Sequence, residues 1–392
     1  LPEGHADMPM EPTNQLLTIA ACVSLQTYED TNGELASNAT WHLETPFKQT
    51  LEQYLNMKCC KHDGGLKIII PAWFDMKVLI YHACLGNVIT ASKRDCIAVT
   101  TPDPEDVKLF TQWYDTKIFQ QEIVPLLENF KYCFEGWYNG LDAKQQKRID
   151  GVDHNRLERR VYSNFCKKEK QGIDDDTKNP KNRCICGPNE EYKYVMGPVV
   201  HMLEHIFKRH FRGYSSGLSW DQKEKILNNR KSRGLNIVVQ GDCTGYDRTQ
   251  YVELKHIEFS IYTWLADHGM ITHVEKDIFL KQACARTVKV KVQCMEKDGI
   301  HKLGYFTKTG GVQTGNMDTT FANTMRMVMY NRFVMEHELG LDRDEYDIDA
   351  AGDDFAVFLP DYVDLERVKT AYYKHFSDKK VGQHGLGQIL KF

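Results

Sequence analysis

The sequence predicts an α+β fold, a small antiparallel sheet backed by helices, on three observations. Leu235 to Val239 is a short apolar run that ends at Gly241-Asp242, the pattern of a strand delivering an acid to a sheet edge. Asp347 to Leu359 reads as two short apolar strands around Gly352-Asp353-Asp354, because glycine and aspartate favour tight turns. Between them lie two helical stretches, one following Asp242 to about Ala266 and one from Thr319 to Leu339 that is rich in Met and aromatic residues. The order strand, helix, helix, strand, strand, with no internal repeat, closes a small sheet with helices packed on it.

The remaining elements are simpler to justify. Residues 1 to about 140 carry a strand-like run from Leu66 to Pro71 and an amphipathic helical stretch from Asp106 to Phe130, but no motif tied to chemistry. Gln171 to Asn182 is polar, contains Gly172, three consecutive aspartates and Pro180, and reads as a mobile loop. His201 to Arg212 has helical character. Thr287 to Thr307 alternates valine with lysine before Asp298-Gly299 and ends in aromatics after it, a β-hairpin closed by a tight turn.

Composition excludes some classes. With 392 residues, 42% hydrophobic and 27% charged, the chain can bury a sizeable core and is neither disordered nor fibrous. A net charge of −4 argues against a protein that coats nucleic acid nonspecifically. Charge is nevertheless unevenly placed: Lys144 to Lys170 holds nine Lys/Arg against four acids, and Lys208 to Arg233 holds eight against two. Such stretches are either solvated helix faces or the walls of a basic channel. The twelve cysteines lack a disulfide-like rhythm, and no signal peptide or long apolar run is present, which points to a reducing compartment. Cys59, Cys60 and His62, or Cys184 and Cys186, lack the repeated spacing of a zinc site. The sequon at Asn38 is expected to be unused in such a compartment. Opening at Leu1 and stopping at Phe392, the sequence reads as an excerpt of a longer polyprotein or replicase.

The acids carry the chemistry. Asp242 and Asp353, with Asp354 beside it, are brought to a sheet edge by apolar strands, and buried negative charge is costly unless a cation neutralises it. Oxygen-only ligands suit Mg²⁺ or Mn²⁺, and two such ions about 3.5–4 Å apart can activate a hydroxyl and stabilise a leaving oxygen. Taken alone, Gly-Asp-Asp is more often a structural turn. It does not stand alone. Asp242-Cys-Thr-Gly-Tyr-Asp247 has D-x4-D spacing, which sets the second acid at the start of the next helix. Thr314-Gly315, then Thr319, then Asn323 form a [ST]-G-x3-T-x3-N pattern in which a glycine loop leads into a helix, with Thr319 and Asn323 on one face. Taken singly, Thr319 or Asn323 would read as a helix cap or a surface residue.

In this order the three patterns strongly resemble motifs A (242–247), B (314–323) and C (352–354) of the palm of positive-strand RNA virus polymerases. The resemblance implies a right-hand polymerase fold and a two-metal RNA-dependent RNA polymerase. Asp242, Asp353 and the accessory Asp354 would hold the metal ions. Asp247 and Asn323, helped by Thr319, would hydrogen-bond the 2′-hydroxyl of the incoming ribonucleotide, with Thr314-Gly315 as the loop; Thr314 stands where serine is commonest. Phe165-x-Lys167-x-Glu169, then Lys181-x-Arg183-x-Ile185, resembles the fingers motif F (about 165–185), with Asn182-Arg183 in place of the usual Pro-Arg. It implies triphosphate contacts by Lys167, Lys181 and Arg183, where cations offset phosphate charge. Gly387 to Lys391 looks like motif D (about 379–391), whose lysine protonates pyrophosphate; Lys379 and Lys380 are alternatives to Lys391.

The resemblance covers about Phe165 to Phe392. It divides the chain into an N-terminal region and fingers (1–234) and a palm (235–392) with a fingers insertion at about 267–310. The Phe-Cys-Ser motif E and the thumb are absent from it. Upstream, Phe134 to Asp150 vaguely resembles the tombusvirus-like and nodavirus-like group. The implied partners are template and nascent RNA, ribonucleoside triphosphates and other viral replicase domains, in the host cytoplasm at membrane-associated replication complexes. A reverse transcriptase is the nearest alternative, but there a bulky aromatic stands at the Asp247 position. A non-catalytic RNA-binding or scaffold protein that keeps a palm shape is the alternative from another class.

Overall fold

The computed structural model describes residues 102–157, 161–166, 171–172, 184–243, 246–293, 300–309, 311–375 and 390–391, with the short strands 35–36, 39–42, 66–69, 78–81 and 99–100. Among these residues the chain is a mixed α+β structure with small, mainly antiparallel sheets.

Both acidic motifs lie in one four-stranded sheet, ordered Asp347–Ala351, Asp354–Leu359, Ile237–Cys243, Leu390–Lys391. β-Branched and aromatic residues form these strands, and their alternation buries Ile348, Ala350, Val357 and Leu359. The first two strands make the expected hairpin, Ala351 pairing with Asp354 across a turn of Gly352 and Asp353. Gly352 has a φ of +70°, a left-handed conformation that favours glycine.

Behind this sheet runs the Thr319–Arg332 helix, continued by a wider π-helical turn over Phe333–Glu338. It spans the expected Thr319 to Leu339 stretch. From Phe321 to Met335 every residue is buried, as befits a helix in the middle of a core. Its charged residues are paired: Arg332 grips Glu122 through two N–H groups at 2.7 and 2.6 Å and reaches Glu336 at 2.8 Å. Tyr330 and Phe333 pack on Phe110, and Trp113 meets Phe333 edge-on, which ties in the helical segment Pro104–Leu127. Asp103 caps that segment by accepting from the Glu105 N–H at 2.8 Å.

A second sheet has the order Ala39–His42, Ile300–Thr309, Ala285–Gln293, Val161–Cys166, Cys184–Pro188. It contains the predicted valine–lysine hairpin, in register from Ala285–Thr309 to Gln293–Ile300, with an irregularity at Val290/Lys291. The turn at Asp298-Gly299 lies outside the described residues. Leu66–Ile69 forms the expected strand and pairs with Val78–Tyr81. Gln171–Gly172, expected in a loop, adds a short strand to that pair; the rest of the Gln171 to Asn182 segment lies outside the described residues, as do Cys59, Cys60, His62 and Asn38. Cys186 is buried.

Two elements differ from expectation. The helix expected at His201 to Arg212 begins at Glu190 and ends at His210, because Val195, Met196, Val199 and Val200 extend its buried face through Pro198. The stretch from Asp247 to Ala266 is not one helix: Tyr246–Thr249 is a single turn, followed by a 3₁₀ turn at Glu253–Lys255 and a helix at His256–Asp267. Backbone carbonyls explain the break. Asp247 C=O accepts from Val312 N–H at 2.6 Å and Gln250 C=O from Gly311 N–H at 2.7 Å, so both are diverted to the loop before the buried helix. Among the described residues, no helix is long and apolar enough to cross a membrane.

Candidate functional site

Backbone register gathers the acids at one end of the four-stranded sheet. Asp242 on the Ile237–Cys243 strand is paired with Asp354 on one side and with Lys391 on the other. Asp353 occupies the turn next to Asp354, and both are exposed. The side chains of Asp242 and Lys391 lie outside the described residues. Among the described residues, no three or more His, Cys, Asp or Glu gather into a metal-binding cluster. The chemistry of the donor set fits Mg²⁺, which is commonly bound through one or two carboxylates and completes its shell with water and substrate phosphates. Asp242 and Asp353, with Asp354, are the residues that could hold it.

Beside this edge, residues far apart in sequence meet on one carboxylate. Asn323 donates its amide N–H to Asp247 Oδ1 at 2.9 Å, and the Thr314 hydroxyl donates to Asp247 Oδ2 at 3.1 Å. Asp247 is half-buried and Thr314 exposed, whereas Asn323 is 3% exposed. Both oxygens of the half-buried Asp247 carboxylate are therefore engaged by residues of the distant loop and helix. Thr319 shares the helix face with Asn323 but directs its O–H to the Gln313 carbonyl at 2.7 Å, holding the loop instead of Asp247. Next to Asn323 in the helix, Thr324 accepts from the Gly352 N–H at 2.8 Å. A single helix thus ties Asp247 through Asn323 and the acidic turn through Thr324.

Close approach dictates Gly315. A Cβ there would lie 2.9 Å from the Cys186 carbonyl oxygen and 2.9 Å from Ile185 Cγ2. The Thr314-Gly315 loop therefore rests directly on the Cys184–Pro188 strand, and Tyr162 on the neighbouring strand donates to Asn316 Oδ1 at 3.0 Å. Lys167, Lys181 and Arg183 lie outside the described residues. The residues that flank that segment, Cys166 and Cys184, are register partners in the second sheet.

A buried charge network lies behind Asn323. Arg326 donates to Asn323 Oδ1 at 2.6 Å and to Glu258, with both charged side chains almost wholly buried. Because guanidinium has donors only, Asn323 must present its oxygen to Arg326 and its NH₂ to Asp247. Burial is the largest influence and opposes the Arg326 charge, but Glu258, Tyr246, Tyr330 and Asp318 together outweigh it and the pKa is raised. Burial pushes the Glu258 and Asp318 carboxyls up, with Arg326 and Lys255 pulling the other way. Lys255 also donates to the Gly311 carbonyl at 2.8 Å. Sequence reading missed Arg326 and Glu258; their signal is only a charged residue inside each of two helical stretches that are otherwise largely apolar.

No protein-family model matches the chain, and no curated protein matches it.

Proposed function

We propose that this chain is the fingers and palm of an RNA-directed RNA polymerase with the right-hand polymerase fold, a nucleotidyltransferase that replicates a positive-strand viral RNA genome. The observation that carries the proposal is the Asp247 carboxylate held at once by Thr314 and Asn323. That meeting requires the D-x4-D and TG-x3-T-x3-N patterns to be parts of one site, 67 and 76 residues apart in the chain. The pairing of Asp242 with Asp354 supports the same reading from the other motif.

The roles follow from the chemistry of each group. Asp242 and Asp353, with Asp354 as accessory, hold two Mg²⁺ or Mn²⁺ ions. When bound, these ions lower the pKa of the attacking 3′-hydroxyl and stabilise the pyrophosphate leaving group. Asp247 accepts a hydrogen bond from the ribose 2′-hydroxyl and Asn323 helps orient it; a deoxynucleotide cannot supply that hydrogen bond. Arg326 is a positioning residue that fixes which end of the Asn323 amide faces the sugar. Lys167, Lys181 and Arg183 offset the triphosphate charge, and Lys391 delivers a proton to pyrophosphate. On this reading residues 1–234 are the N-terminal region and fingers and 235–392 the palm, with a fingers insertion at about 267–310. Its partners are template and nascent RNA, ribonucleoside triphosphates and further replicase domains, at membrane-associated complexes in the host cytoplasm.

The test is extension of a primed RNA template supplied separately with ribo- and deoxynucleoside triphosphates. Ribonucleotide incorporation is expected. No incorporation contradicts the enzyme reading, and preference for deoxynucleotides turns it toward a reverse transcriptase.

A further inference from the structure

Far from the acidic turn, at the other end of the Asp347–Ala351 strand, the fold encloses a strongly basic cavity. Asp347 lies about 13 Å from Ala351 along the strand, at roughly 3.3 Å per residue. The cavity, about 640 Å³ and open to solvent, is formed by the C-terminal turn of the Glu190–His210 helix, the loop after it and the Trp220–Ser232 helix. Volumes of about 300–1,000 Å³ are typical of ligand pockets.

Three arginines in its wall are fixed by the protein. Arg230, 3% exposed, donates to Asp347 at 3.0 Å, Asp349 at 3.3 Å and the Ile348 carbonyl at 2.9 Å. Arg212 donates to Asp347 at 3.0 Å, Asp344 at 3.2 Å and the Tyr346 carbonyl at 2.7 Å, and Arg233 to the Asp344 carbonyl at 2.6 Å. These contacts engage both acids of the wall. Lys208, Arg209 and Lys225 are the other lysines and arginines of the lining, and among the described residues none has a carboxylate within ion-pair distance. The cavity therefore carries six Lys/Arg against two acids; of the three cations outside those contacts, Arg209 and Lys225 are exposed and Lys208 is half-buried.

The kind of anion follows from what is missing and from how the charge is spread. Phe211 and Tyr214 line the cavity but are 6% and 3% exposed, so neither presents a ring on which a base can stack. Cations distributed over two helices and a loop match a row of phosphates better than one. We infer that this cavity binds the phosphodiester backbone of single-stranded RNA without regard to base sequence, at a site separate from Asp247 and Asp353. The inference stands on the cavity itself and does not require polymerase activity.

The experiment measures binding of a short fluorescein-labelled single-stranded RNA to the full chain by anisotropy, without Mg²⁺ or nucleotides, from about 50 to about 200 mM salt. The Lys208→Ala/Arg209→Ala/Lys225→Ala variant is compared with wild type and with Lys108→Ala/Lys117→Ala/Lys369→Ala, which removes three exposed cations elsewhere. Among the described residues none of the three cavity side chains pairs with a carboxylate, and thermal melting checks that the variant remains folded. The expected result is weaker RNA binding by the cavity variant alone, with the log–log salt slope reduced by about 2, since each phosphate contact to single strands contributes about 0.7. Equal losses in both triple variants, or an unchanged slope in the cavity variant, overturn the inference. So does a cavity variant that binds RNA like wild type but no longer binds phosphatidylserine vesicles, because the site then belongs to a lipid surface.

Discussion

Asn323 and Asp247, 76 residues apart, are joined by an amide-to-carboxylate hydrogen bond of 2.9 Å whose polarity is fixed from behind by Arg326. That relationship fixes the orientation of both the amide and the carboxylate. It is the feature on which sugar selection would depend.

Replacing Asn323 by Ala removes one of the donors that orient Asp247 and leaves the Thr314 hydroxyl on the other carboxylate oxygen. Preference for ribo- over deoxynucleotides is expected to fall about 5- to 150-fold, the range given by one buried hydrogen bond of about 1–3 kcal/mol. Single-nucleotide incorporation with each sugar measures it. Unchanged preference would remove Asn323 from sugar recognition.

Arg326→Lys keeps a cation opposite Glu258 but loses the guanidinium fork that holds the Asn323 oxygen. The expected outcome is reduced sugar preference with a smaller change in kcat for ribonucleotides. Arg326→Ala instead strands a buried carboxylate and is expected to cost about 3–5 kcal/mol of stability. Chemical denaturation of both variants separates the two effects.

Gly315→Ala forces a Cβ against the Cys186 carbonyl, which cannot swing aside as a side chain does. A stability loss of about 1–3 kcal/mol is expected from overpacking. Thr314 should be displaced from Asp247 as well, lowering nucleotide incorporation. A variant with wild-type melting and activity would show that the loop can move off the Cys184–Pro188 strand.

Asp347 gives a pH signature. Burial by itself raises its pKa, but Arg212 and Arg230, with the Ile348 N–H, hold it below the ordinary 3.8. A depressed folded-state pKa means that the stabilisation is complete above 3.8 and is lost as pH falls through the lower folded value. Asp347→Asn is therefore expected to destabilise by about 3–5 kcal/mol at neutral pH. The gap to wild type should narrow as the pH drops below 3.8. Urea unfolding across that range tests it, and a constant gap would contradict the assignment.

The sequence made the acidic hairpin legible because apolar strands and a Gly-Asp turn have only one economical arrangement. The resemblance to the polymerase motifs also implied that Thr314, Asp247 and Asn323 share one site, which their spacing alone does not. The network behind them was hidden, since nothing in the spacing of Glu258 and Arg326 shows that two helices press these charges together. The broken helix after Asp247 was hidden for a related reason. Its apolar spacing is helical, but the Asp247 and Gln250 carbonyls are claimed by Val312 and Gly311, more than sixty positions away. The arginine clamp on Asp347 reads in sequence only as surface charge on the Trp220–Ser232 helix and its flanks, because the acids that bury Arg230 come from a distant strand.

The central claim is that Asp242 and Asp353 serve one metal-dependent nucleotidyl transfer site. Extension of an RNA primer in Mg²⁺ by wild type and by Asp353→Ala and Asp242→Ala, with RNA retention measured on the same samples, tests it most directly. Each substitution is predicted to reduce extension about 1,000-fold or more, the effect of losing several kcal/mol of transition-state stabilisation, while RNA retention stays near wild type. Extension by Asp353→Ala at the wild-type rate would contradict the account.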